Sequence, residues 1–418
     1  MNSASLAKHT DVAIIGAGPS GSVAAALLRQ RGWQVCVLER QHFPRFSIGE
    51  SLLPYCMEIL EEAGLLQAVN EAGFQVKNGA AFTWGDRNTI IDFRDKFTPG
   101  PGTTFQVQRA HFDQILIQEA EKMGAEVHFG HTVTNLDFAD EQATLSVSTD
   151  QDQSYTLQAR FVLDASGYGR VLPRLLNLER PSTFPLREAW FTHIQDNISN
   201  PDFDREKIVI ATHPRDRAIW LWLIPFSQGR CSIGVVGEPS HLAMNGRDPL
   251  VFLQDMTREI PRLKQLLDNA TWDTPVNPLR GYSANVTSLY GPRYALLGNA
   301  AEFLDPVFSS GVTIAMHSAK LATTLVDQTL RGQSADWDRD FAQALRVGID
   351  TFKTYVSGWY DCRFQDVIYS TQMNHDIRRM IAAVLAGYAW DTSNPYVEKS
   401  ERRLNALAEI CGEAQLDT

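Results

Sequence analysis

Asp11 to Ile15 is a short β-branched run, and Ser22 to Arg31 carries apolar positions at helical spacing until Gly32 interrupts them. The first pattern predicts a buried strand, the second a helix. Gln34 to Glu39 predicts another strand, so the three segments form a strand–helix–strand unit within a parallel sheet. Residues 107–123 predict a helix, 125–149 strands with a hairpin, and Ala159 to Gly167 (ARFVLDASG) a buried strand entering a glycine turn. From about 180 to 290 the chain alternates: EAWFTHI, KIVIATH, AIWLWLIPF and RCSIGVVG predict a mostly antiparallel sheet. Tyr294 to Phe303 returns to the strand-then-glycine style, and Gly311 to Leu330 predicts a helix. Residues 336–412 are helical by periodicity, with Trp359, Tyr360 and Trp390 available to cover a pocket.

The expected architecture is α/β. A Rossmann-like domain comes in two pieces, 1–178 and 291–335. Between them lies an inserted antiparallel-sheet substrate domain, 179–290, and a helical C-terminal region, 336–418, follows.

Composition narrows the function classes. With 44% hydrophobic and 21% charged residues among 418, the chain has material for a sizeable core. A net charge of -11, with no basic run, argues against nucleic acid as a partner. No apolar run reaches the length of a membrane span, and no signal peptide is visible before the first strand. Cys36, Cys56, Cys231, Cys362 and Cys411 are scattered, without CxxC or metal-ligand spacing. Reduced thiols in a cytoplasmic protein, and no metal, are the expectation.

GAGPSG, Gly16 to Gly21, lies between the first strand and the first helix, with Glu39 ending the second strand. This is the context in which a glycine fingerprint binds a dinucleotide. Gly16 permits the tight turn, Gly18 the approach of the pyrophosphate and Gly21 close packing of the helix, whose first-turn amides, near Ser20, attract phosphate. Glu39 is expected to accept from the adenosine ribose. The fingerprint alone does not separate FAD from NAD.

LDASGYGR (Leu163 to Arg170) and LLGNAAEFLDPVFSSGV (Leu296 to Val312) resemble the further FAD-contacting motifs of glutathione-reductase-type flavoproteins, in the branch with the p-hydroxybenzoate hydroxylase fold. That resemblance implies FAD. It implies cofactor roles for Asp164, Gly298, Asn299, Asp305, Gly311 and Val312, with the helix beginning near Gly311 directed at the flavin. Asn299 stands where the family usually has aspartate. Arg45 and Ile48, in FPRFSIGESLLP, are expected in a flavin loop together with Gly49 and Glu50. Arg109 is either a cofactor contact or a surface arginine at a helix start. No second GxGxxG supplies a nicotinamide domain, so reduction comes from transient NAD(P)H docking or from a separate flavin reductase.

Within this fold the chain resembles the flavin-dependent halogenases over nearly its whole length, most closely the phenol and pyrrole branch. Trp220-Leu221-Trp222-Leu223-Ile224-Pro225 matches the WxWxIP signature, and as a strand its alternation sets Trp220, Trp222 and Ile224 on one face. The resemblance implies that this face walls the substrate from the flavin. Lys77, in GFQVKNGAAFTWG, falls where the family carries its essential lysine. It would hold or transfer the halogen of hypohalous acid made from FADH2, O2 and chloride or bromide. The segment Phe303 to Gly311 is similar to the one between flavin and substrate, with Ser310 and Gly311 as the halide site and Phe308 where tryptophan halogenases have glutamate.

Substrates in this branch are often tethered to a carrier protein, and Arg378, Arg379, Lys399, Arg402 and Arg403 offer basic groups for docking one. A monooxygenase or dehydrogenase of the same fold in a pigment or polyketide pathway is the alternative activity. A flavin-binding scaffold without catalysis is a third reading.

Overall fold

The computed structural model describes residues 8–416 except 140, 183, 283 and 303; Phe303, the start of the segment resembling the halogenases, therefore lies outside it. The glycine-fingerprint unit forms as expected. Strand Lys8–Ile15 pairs in parallel with Val35–Glu39 on one side and with Ser154–Asp164 on the other. Glu126–Phe129 and Tyr294–Leu296 extend the sheet, also in parallel. Val12, Ala13 and Ile14 at its centre are fully buried. Their continuous apolar run suits a sheet covered on both faces.

Helix Pro19–Gln30 begins three residues before the expected position, because Pro19 at its first position has the fixed φ a helix start requires. It packs against Arg109–Lys122 and Ser310–Leu330. Strand Tyr294–Leu296 and helix Ser310–Leu330 thus rejoin a sheet begun near the N-terminus.

The second sheet runs Asn277–Arg280, Glu188–Gln195, Arg230–Gly237, Trp220–Pro225, Lys207–Thr212, Gly79–Trp84, Arg87–Asp92. Its first five strands come from the alternating region and pair antiparallel. The last two come from residues 79–92, and Gly79–Trp84 joins Lys207–Thr212 in parallel. The sheet therefore also draws on residues outside 179–290. Three helices in that interval, Pro239–Leu242, Pro249–Arg258 and Pro261–Leu266, were not expected; each carries proline at its start.

Alternation divides the faces of this sheet. Leu221, Leu223, Val209, Ile233 and Val235 pack under the helices of residues 249–266. Trp220, Trp222, Ile224, Phe191 and Ile208 face the opposite way, in the cluster that includes the C-terminal helices. Those helices include Ala344–Tyr360, His375–Leu385 and Ser400–Leu416. Among the described residues no helix is long and apolar enough to cross a membrane.

The indole of Trp222 lies over Gly234, its cross-strand neighbour. A Cβ at Gly234 would stand 2.3 Å from that ring. Gly234→Ala is therefore expected to displace Trp222 and to cost roughly 1–3 kcal/mol through overpacking. Urea unfolding measures this; wild-type stability would show that the indole has room to move.

Candidate functional site

A cavity of about 500 Å³ runs along the junction of the two sheets. Its wall includes Gly16, Gly18, Ser20, Glu39, Arg45, Ile48, Arg109, Asn299, Gly311 and Val312. Trp220, Trp222 and Ile224 belong to the same wall, so one space joins the glycine turn to the tryptophan strand. Trp359, Tyr360 and Trp390 do not line it.

The glycine turn is built by exclusion. Gly16 has φ +101°, and a Cβ there would lie 2.6 Å from the Ala165 carbonyl oxygen; one at Gly21 would lie 2.0 Å from Gly16 O. Gly18 differs, because its nearest neighbour would be an Arg45 guanidinium nitrogen at 3.5 Å. Gly18 also caps helix Pro19–Gln30 without a side-chain hydrogen bond. First-turn amides beside an arginine make a site suited to phosphate. The buried Glu39 carboxylate accepts from the Ala17 amide and the Gln41 amide, both at 2.9 Å.

Arg109 is no surface residue. It is buried in the cavity wall, donates to both carboxylate oxygens of Asp113 at 2.7 and 2.9 Å and gives a third hydrogen bond to Ile48 O at 2.5 Å. Arg45 approaches the same Asp113 at 3.1 Å. Two guanidinium groups around one carboxylate leave a net positive charge beside the turn. These residues suit a dinucleotide whose phosphates need that charge and whose ribose needs the carboxylate.

Other expected residues act from behind the wall. Asp164 is fully buried and accepts from the Ser166 amide at 2.9 Å and the Leu172 amide at 2.7 Å, which shapes the turn 166–169 that lines the cavity. Burial raises its carboxyl above the usual range. Gly298, at φ +51°, lets the chain pass Ala315, which a Cβ would meet at 2.6 Å. Ser310 is buried outside the wall, whereas its neighbours Ser309 and Gly311 line it. Pro225 and Phe308 do not line it either; Phe308 packs edge-on against Trp359 and Phe364.

Asp305 also lies behind the wall, at the centre of a polar cluster that sequence reasoning missed. Trp220 Nε1 donates to the Tyr360 hydroxyl at 2.9 Å, and that hydroxyl donates to Asp305 Oδ2 at 3.0 Å. The Arg187 guanidinium stacks 3.4 Å from the Tyr360 ring centroid and 3.7 Å from Asp305 Oδ2. Burial pushes the Asp305 carboxyl up to about 6, and the Arg187 charge opposes that rise. No short-range pattern links residues 187, 220, 305 and 360. A second missed pair is His193 Nε2 and Glu50 Oε1, 2.6 Å apart; Glu50 lines the cavity. The strand alternation that placed Phe191 on the cavity face also places His193 there.

Lys77 is fully buried and sits one layer outside the cavity wall. Its Nζ donates to Leu52 O at 2.8 Å, immediately after the cavity-lining Glu50 and Ser51, and lies 5.4 Å from the Phe93 ring centroid. Burial without a carboxylate partner pushes its ammonium down to about 7. An amine near half-protonation at neutral pH is able to act as acid or nucleophile.

Of the basic residues that could dock a carrier, Arg402 and Arg403 are exposed and the other three are engaged. Arg379 pairs with Asp95 at 3.0 Å, Lys399 with Glu398 at 3.3 Å, and Arg378 donates to Ile90 O.

Comparison with known proteins agrees with this geometry. A family profile described as FAD binding domain matches residues 9–347. The crystal structure of a flavoprotein/dehydrogenase from Cytophaga hutchinsonii superposes with a TM-score of 0.94 at 40% identity, covering 98% of this chain and 100% of that one. A flavin-dependent brominase superposes at 0.83 with 26% identity, covering 97% and 100%. The 1H-pyrrole-2-carbonyl peptidyl-carrier-protein chlorinase of Pseudomonas fluorescens is 27% identical over 84% of this chain and 83% of its own length. The tryptophan 2-halogenase of Chondromyces crocatus is 30% identical over 78% of this chain and 63% of that protein. The chain belongs to the FAD-binding domain family, and flavin-dependent halogenases are among the proteins it is similar to.

Proposed function

We propose that this protein halogenates an electron-rich aromatic or heteroaromatic ring of phenol or pyrrole type. It uses FADH2 from a separate flavin reductase, O2 and chloride or bromide. The observation that carries this reading is the single cavity joining the glycine turn to the Trp220–Trp222 face. Bound FAD supplies the two-electron chemistry with O2 that turns halide into hypohalous acid.

The amides after Gly18 and the Arg45 charge would hold the pyrophosphate, Glu39 the ribose. Arg109, through Ile48 O, fixes a loop in the cavity wall that would lie beside the cofactor. Asn299, Gly311 and Val312 would flank the flavin, with halide near Ser310 and Gly311, where helix Ser310–Leu330 presents its positive end. Trp220, Trp222 and Ile224 wall the substrate side and exclude water. Lys77 would supply the proton that leaves with the oxygen of hypohalous acid, or take up the halogen itself.

The activity of the Pseudomonas relative on a carrier-bound pyrrole supports a substrate delivered on a carrier protein. The five cysteines are unpaired, which supports a reducing, cytoplasmic setting. The decisive test is mass spectrometry of phenol and pyrrole substrates, free and carrier-bound, after incubation with a reductase and bromide. Flavin reduction by the substrate itself, with no halogen incorporated, would instead establish a dehydrogenase.

Two variants test the parts separately. A Cβ at Gly18 makes only an ordinary contact with the protein, so Gly18→Val is expected to fold and yet purify without flavin. Circular dichroism and flavin absorbance report the two properties independently, and a folded variant with full flavin would remove the phosphate assignment.

Lys77 carries a pH signature. Its folded pKa, about 7, is below the ordinary 10.5, so between these values the unfolded chain binds the extra proton. Stability therefore rises with pH across that window, and the penalty is fully present below pH 7. Lys77→Met is expected to gain on the order of 1–3 kcal/mol at pH 7, to lose that rise, and to retain flavin while losing product by orders of magnitude. An unchanged pH dependence would mean that Nζ is hydrated in solution.

A further inference from the structure

Halogenation of a ring ends with loss of a proton from carbon. Phe308, just before helix Ser310–Leu330, packs against Trp359 away from the cavity and offers no base. Among the described residues, two carboxylates line the cavity, Glu39 and Glu50. Both oxygens of Glu39 already accept backbone amide hydrogens at the glycine-turn end.

Glu50 is arranged differently. Its side chain is 2% exposed, Oε1 is held by His193 Nε2, and Oε2 is buried with no protein hydrogen-bond partner. A buried carboxylate oxygen left without a donor is costly, so its retention calls for a use. The Glu50 backbone is fixed as well, since its carbonyl accepts from the Val107 amide at 2.7 Å. Two residues later, Leu52 O receives Lys77 Nζ. His193 stands on the cavity-facing side of its strand and contacts Phe46 and Phe226.

We propose that Glu50 is the catalytic base of ring halogenation, with His193 as the positioning residue that holds Oε1 and leaves Oε2 without a protein partner. The proposal rests on the halogenation reading above. As halogen passes from hypohalous acid to a ring carbon, the carbon–halogen bond forms and the oxygen–halogen bond breaks. The oxygen leaves as water with a proton from Lys77. The electron pair of the ring C–H bond returns to the ring and its proton goes to Glu50 Oε2. Exchange with solvent on product release restores both residues, so the balance is one arene and one hypohalous acid to one haloarene and one water.

The test uses the flavin-loaded full chain with a reductase, O2, bromide and phenol, either protiated or ring-deuterated. Bromophenol is quantified alongside a hypohalous-acid trap. Glu50→Gln is expected to retain flavin and to yield trapped hypobromous acid at the wild-type rate. Its bromophenol should fall at least tenfold, with a ring-deuterium isotope effect that the wild type lacks. Formate should restore part of the turnover of Glu50→Ala, and His193→Asn should lower kcat with KM little changed.

Undiminished bromination by Glu50→Gln without an isotope effect would overturn the assignment. Loss of flavin in step with product would do the same, leaving Glu50 a structural loop residue. Trapped hypobromous acid without bromophenol from the wild type would also count against a ring base. If the wild type yields neither, the halogenation reading itself falls, a failure distinct from that of Glu50.

Discussion

Asp305 is where three separately coded parts of the chain are held together. Its Oδ1 accepts from the Val307 amide at 3.0 Å and sets the turn that precedes helix Ser310–Leu330. Its Oδ2 receives the Tyr360 hydroxyl from the C-terminal helices, and Tyr360 in turn holds the indole of Trp220 in the second sheet. A carboxylate 1% exposed is expensive unless its lone pairs and charge are met, and the Arg187 guanidinium supplies the charge. Both ends of the working cavity depend on this arrangement. The turn before helix Ser310–Leu330 and the indole of Trp220 share this one anchor.

What was legible in the sequence follows from the range of the interactions involved. The glycine turn and its flanking elements are local, and each glycine has a steric reason within a few ångströms, so pattern reading located them. Strand alternation assigned Trp220, Trp222 and Ile224 to one face, because the period of two needs no knowledge of the partner strand. Arg109 stayed ambiguous between cofactor contact and surface residue because its pairing with Asp113 is local, whereas the loop at Ile48 that it also holds is 61 residues away. The entry of residues 79–92 into the second sheet was invisible, since a parallel pairing with Lys207–Thr212 leaves no local mark. The helices between 239 and 266 had a usable signal in their leading prolines, but the alternation on either side dominated the reading.

The buried polar groups were the least legible of all. Glu50 was placed in a flavin loop, but its partner His193 is 143 positions away. Lys77 was singled out by its motif, and nothing in that motif announced that its ammonium would be buried against Phe93 with only a backbone carbonyl to receive it. A lysine in such a position lowers stability at neutral pH, and its presence is easier to understand as chemistry than as packing, since methionine would fill the volume without the charge.

The segment Glu50–Leu52 connects these observations. It passes between the cavity and the lysine, presenting a side-chain carboxylate to one and a backbone carbonyl to the other. Ser51, between them, bridges to Gln106 and closes the layer. Its own hydroxyl and that of Thr104, directly across from Lys77 in the neighbouring pairing, are buried without protein partners. Each of these hydroxyls, buried without a partner, costs more than an apolar replacement would. Trp220 and Trp222 line the cavity, whereas Lys77 and Thr104 lie in the polar layer next to Ser51, outside its wall.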